Sequence, residues 1–229
     1  MTECSQQGFS NEMAQARQRV QAISSLALQQ FQLALQAYSK HDAGLAQQAL
    51  NQLQKAHDFE QAMDDHCLDM LSHSASGGEL RLVLALLKAI SDIEYICGQS
   101  ALIAQQALLA ANSQPQAQQL AAINTLAEPV ANMLTLALAA LQQRSITQAE
   151  QALSLAPTVN RCYGAILRSN LDNTDNLAGH LDSALGVNWV ARALERIAEH
   201  SANLAKHAIF LAKVSSGQSL RVELQPRRR

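Results

Sequence analysis

Apolar residues recur every three or four positions along most of this chain, and the breaks between the periodic stretches are short and polar. The clusters Ser39–Gly44, Ser72–Gly78, Asn112–Gln116, Arg144–Thr147 and Asn170–Asn176 separate runs of about 25 to 35 residues. The pattern predicts six helices, at 11–39, 43–71, 78–111, 117–143, 146–170 and 177–214. Short loops between long helices make consecutive helices antiparallel, so the expected architecture is all-α and up-and-down.

The pattern also repeats. In the last helix Val190, Leu194, Ile197, Ser201, Leu204, Ala208 and Leu211 alternate steps of four and three, the spacing of one buried stripe. Moved back by 101 residues, those positions are Ala89, Ile93, Ile96, Ser100, Ile103, Ala107 and Ala110. Earlier in each half the shift is 103: it takes Leu33–Ala37 to Leu136–Ala140 and Ala46–Leu50 to Ala149–Leu153, at constant offset across a loop. An Ala, Leu and Gln-rich chain produces chance matches, but the heptad stripe supports the repeat independently. The predicted organisation is two tandem pseudo-repeated three-helix bundles, residues 1–113 and 114–229, the second ending in a short basic tail.

Composition narrows the class. With 229 residues, 9 glycines, 4 prolines and 3% aromatics, the chain favours long helices over sheet. Residues 1–112 carry 6 basic and 11 acidic side chains, net -5, and residues 113–229 carry 11 and 8, net +3. Neither half is basic enough to imply nucleic acid. The polar start MTECSQQGFSNE lacks the features of a secretion signal, and no apolar run approaches the roughly 20 residues that span a bilayer. A cytoplasmic location is expected. Cys4, Cys67, Cys97 and Cys162 form no CxxC pair and read as free thiols.

Candidate chemistry is confined to a few carboxylates and imidazoles. On the second predicted helix His57, Asp58, Glu60, Asp64, Asp65, His66 and Asp69 crowd together, and His57, Glu60 and Asp64 share a face. They are either a cation site or the acidic outer surface of an amphipathic helix. On the last helix Glu195 and Glu199 lie on one stripe, where Arg192 and Arg196 can pair with them. His200 and His207 lie on a neighbouring stripe, and Trp189 is expected in the core. A ferritin-like di-iron enzyme would need Glu-x-x-His motifs, and no Asp or Glu here has His three residues on. No Ser/His/Asp elbow or phosphate-binding glycine loop is present, so no enzyme is expected.

The segment Glu195-Arg196-Ile197-Ala198-Glu199-His200, followed by Ala202-Asn203-Leu204-Ala205, resembles the signature helix of the PhoU family of phosphate-uptake regulators. Leu80-Arg81 and Asp92-Ile93-Glu94 resemble the first-repeat version of it, and the resemblance covers nearly the whole chain. It implies a non-catalytic cytosolic adaptor that binds a phosphate ABC transporter ATPase and a phosphate-sensing histidine kinase, commonly as a homodimer. It also implies metal, iron or another divalent or trivalent ion, held by carboxylates spaced as E/D-x-x-x-D. The residues matching that pattern are Glu195 and Glu199 in the second half and Glu94 in the first, where Gly98 replaces the second acid. At most one half, the second, is expected to be equipped for metal. No other cofactor is implied.

Overall fold

The computed structural model describes residues 2–73, 77–110, 117–172 and 181–215. Among them every regular element is helical: α1 (Thr2–Lys40), α2 (Ala43–Leu50), α3 (Leu53–His73), α4 (Gly77–Ala110), α5 (Ala117–Gln143), α6 (Ile146–Ser154), α7 (Ala156–Asp172) and α8 (Leu181–Ser215). α1 packs against α2, α3 and α4, and α5 packs against α6, α7 and α8, giving the two expected bundles. They meet along α4 and α8, with α1 against α5 beside them. The predicted division at 113/114 falls outside the described residues. No helix among the described residues is long and apolar enough to cross a membrane.

The repeat is visible in backbone detail. His41 and Arg144, 103 residues apart, both take the left-handed conformation, with φ 54° and 53°. The amide that follows each closes the preceding helix with a six-to-one bond: Asp42 N–H donates to Ala37 O at 3.0 Å and Ser145 N–H to Ala140 O at 3.1 Å. Asp42 and Ser145 then cap the next helix with their side chains, onto Gly44 and Leu45 in one case and Gln148 in the other. Two residues thus end one helix and begin its antiparallel neighbour. Ala34, Ala37, Ala46 and Ala49, and their copies Ala137, Ala140, Ala149 and Ala152, are fully buried, so these hairpins close backbone to backbone.

Three departures from the predicted elements have physical causes. The second and fifth predicted helices are each broken into two, after Leu50 and after Ser154. At both breaks the chain tightens to a three-residue bond, Gln52 N–H to Ala49 O and Leu155 N–H to Ala152 O, each 3.2 Å. Pro157 reinforces the second break by having no amide to offer Leu153, whereas the first copy breaks without a proline. The apolar period runs through both, which is why the sequence pattern does not mark them. α1 begins at Thr2 rather than at residue 11, since a polar run can extend a helix already fixed by packing. Trp189 is not in the core but 61% exposed. It stands one residue before the stripe, and its first-repeat counterpart is Lys88. The stripe itself is buried as expected in both copies except Ala110, which is half-buried at the end of α4.

Candidate functional site

The contact between α4 and α8 contains a polar cluster. The helices run antiparallel there, because Asp92 meets His200 and His207 while Gly186 lies against Gln106. Asp92 Oδ1 is 2.6 Å from His200 Nδ1, and Asp92 Oδ2 is 3.1 Å from His207 Nε2. An ionised carboxylate only accepts, so these two ring nitrogens carry the protons. Tyr95 stacks on the His200 ring with centroids 4.0 Å apart. Burial alone would raise the Asp92 carboxyl, but the hydrogen bonds from His207 and His200, and their charges, hold it below its ordinary range. The cluster was legible in one respect only: Asp92 follows Ala89 by three and precedes Ile96 by four, which puts a carboxylate at the edge of the buried stripe, beside Ile93, where it must find partners. Its second-repeat counterpart is Ala193.

Glu195 and Glu199 lie together in a groove of about 430 Å³ between α7 and α8, walled also by Ala156, Val159, Asn160 and Lys206. Arg192 Nη1 donates to Glu195 at 2.9 Å and Arg196 Nη1 to Glu199 at 2.6 Å, both three residues apart. The Glu195 carboxyl is raised by burial and by the charge of Glu199, against the pull of Arg192. Glu199 is lowered, chiefly by the hydrogen bond from Arg196. A cation here would compete with two guanidinium groups already in place. Asn160 offers only a neutral oxygen, and Ala156 offers none. The residues present fit a multinuclear carboxylate-bound cluster poorly.

Glu94 is not among the walls of that groove. It meets His57 and Glu60 of α3 instead, and one donor atom from each of the three lies within 4.8 Å of the other two. His57 Nδ1 is 3.8 Å from Glu60 Oε2, and Ser91 Oγ donates to Glu60 Oε1 at 3.1 Å. Burial and the charge of Glu60 raise the Glu94 carboxyl, against the pull of His57. Asp64, predicted on the same face as His57 and Glu60, is not part of this group. His66 serves packing: it is buried and its Nε2 lies 3.2 Å from Glu12 O, tying α3 to α1. Thus the second helix of the first repeat divides its polar stretch between His57 and Glu60, which meet Glu94 of α4, and the exposed Asp58, Asp64, Asp65 and Asp69.

Comparison with known proteins places this architecture. The family model described as the PhoU domain matches residues 20–107 and again 123–208, two matches offset by 103 at their starts and 101 at their ends. The phosphate-specific transport system accessory protein PhoU homolog of Pseudomonas putida is 27% identical over 211 residues, covering 90% of this chain and 81% of that protein. The phosphate-specific transport system accessory protein PhoU of Escherichia coli is 24% identical over 214 residues, covering 93% and 87%. Among solved structures, PhoU from Pseudomonas aeruginosa superimposes with a TM-score of 0.86 at 24% identity, covering 92% of this chain and all of that one. The phosphate transport system regulatory protein PhoU from Streptococcus pneumoniae gives 0.80 at 19% identity, covering 93% and 99%.

Proposed function

This chain belongs to the PhoU family, and from that premise we propose that it is an accessory regulator of phosphate uptake and of the phosphate-starvation response. The observation that carries the reading is the pair of tandem PhoU-domain matches, which cover both repeats and start at the 103-residue offset seen in the backbone. The names of the relatives, accessory proteins of a phosphate-specific transport system, supply the substrate of that system.

In this reading the protein works by occupancy in the cytoplasm. One of its helical surfaces docks on the ATPase of a phosphate ABC transporter, and it also engages a phosphate-sensing histidine kinase. Such an adaptor shifts its partner only to the extent that it binds one of the partner's conformations more tightly than another. In this reading no bond is made or broken. Self-association as a homodimer is part of the same proposal. The test is co-purification of the full chain, expressed at native level in its own host, followed by identification of what it retains. Recovery of phosphate transporter subunits or of the kinase is expected; their consistent absence, with the chain itself recovered folded, would overturn the reading.

A further inference from the structure

We infer that a second copy of this chain covers the solvent side of the α4–α8 pair, with the aspartate-edged patch of one copy's first repeat seated on the arginine-edged patch of the other copy's second repeat. The inference deepens the self-association proposed above and rests on that part of the reading, not on docking to a transporter or a kinase.

The two patches are copies of each other. α3 lies against α4 as α7 lies against α8, and α4 and α8 run antiparallel, so α3 and α7 flank the pair in equivalent places. On the first side Leu68 of α3 is 62% exposed and Leu84 of α4 is 44% exposed. On the second, Leu167 of α7 is 37% exposed, and Leu185 of α8, which the offset of 101 matches to Leu84, is 47% exposed. A single exposed leucine means little. Here exposed leucines recur on the flanking helix and on the central helix of both repeats.

The edges of the patches have diverged in charge. The offset of 103 takes Asp58 to Arg161 and Asp65 to Arg168, and all four side chains are exposed. Seven residues separate the members of each pair, so the aspartates share one stripe of α3 about 10.5 Å apart, and the arginines repeat that spacing on α7. The halves as a whole carry the same signs, net -5 for residues 1–112 and +3 for residues 113–229. Inverting the charge at two equivalent positions makes each patch complementary to the other rather than to itself. An unrelated partner would have to carry both edges at the right separation; a second copy carries them by construction. A two-fold axis makes the contact reciprocal, α3 on the other copy's α7 and α7 on its α3, and so closes the dimer. Around the axis of α8, Trp189 lies between Leu185 and Gly186, and Gly186 meets Gln106 of α4. It therefore leans away from α7 and stays outside the contact.

The experiment measures the mass of the full-length chain in solution by sedimentation, over a range of concentrations and at low and high salt. A dimer that loosens at high salt is expected, because the edge charges are screened. Two double variants each reverse one edge, Asp58→Arg/Asp65→Arg and Arg161→Glu/Arg168→Glu. Each sets like charges against each other in both halves of the contact and should weaken self-association about ten-fold or more. Mixed in equal amounts, the two variants should recover a heterodimer, in which every reversed edge meets an opposite one. All four positions are exposed, and circular dichroism checks that each variant remains folded. A wild-type chain that is monomeric at every concentration would overturn the inference together with the self-association reading, and leave the face to another protein or a lipid surface. A wild-type dimer that persists undiminished in either double variant, or a mixture that stays monomeric, would overturn this surface alone.

Discussion

Replacing Asp92 should loosen the contact between the two repeats by a predictable amount. Its carboxylate accepts from His200 and His207 at 2.6 and 3.1 Å, tying α4 to α8 at two points. Hydrogen bonds to a charged group are worth about 1.5–3 kcal/mol each. The side chains are 11% exposed for Asp92 and 21% and 22% for His200 and His207, so water can reach the rings and the lower end of that range applies. Asp92→Ala should therefore cost roughly 2–4 kcal/mol, which for a chain of this size lowers Tm by roughly 5–15 °C. Asp92→Asn keeps the shape and loses the charge, and about half that loss is expected.

The pH dependence follows from the direction of the Asp92 shift. Its folded pKa lies below the unfolded value, so its contribution is complete above the unfolded pKa of about 3.9 and is lost as pH falls through the folded value. Thermal melts of wild type and Asp92→Asn at pH 5 and pH 3 measure this directly. The gap should be present at pH 5 and shrink at pH 3. A Tm for Asp92→Ala within a degree of wild type, or a gap that widens in acid, would refute the reasoning.

Three further outcomes follow from named contacts. His41 holds φ 54° and has a buried ring nitrogen without a partner, so His41→Gly should raise the urea-unfolding free energy by about 1 kcal/mol; a loss of that size would contradict the backbone account. Burial pushes the Cys67 thiol up to about 11 and the Cys97 thiol to about 12, so alkylation of the native protein at neutral pH should spare both until it unfolds; rapid labelling of either would show that the core opens. Trp189, the single tryptophan, should show solvent-exposed emission that acrylamide quenches readily, and Trp189→Ala should leave Tm within about 2 °C. A blue-shifted, protected emission would place it in an interface.

The helices and their duplication were legible because both rest on periodic apolar positions, which burial alone dictates. The stripe through Val190, Leu194 and Ile197 and its copy through Ala89, Ile93 and Ile96 need no partner information to be recognised. The breaks after Leu50 and Ser154 were not legible, since the apolar period continues through them and only a tightened backbone bond marks them. The same limit applies to the polar groups. Arg192 with Glu195 and Arg196 with Glu199 are local pairs, readable from helical spacing. Asp92 with His200 and His207, more than a hundred residues away, and Glu94 with His57 depend on how α4 packs on its neighbours. A pattern of spacing within one helix carries no trace of them. Glu94 on one helix, and His57 with Glu60 on another, could thus each be picked out as candidates, but not that they come together.

The central claim, that this chain restrains the phosphate-starvation response, is tested most directly in its own host. A strain lacking the gene is grown in excess phosphate and assayed for a phosphate-starvation reporter such as secreted phosphatase activity. The account predicts high expression in the deletion strain and a return to the repressed level when the full chain is supplied in trans. Repressed, unchanged reporter activity in the deletion strain, with normal induction when phosphate is withdrawn, would contradict it.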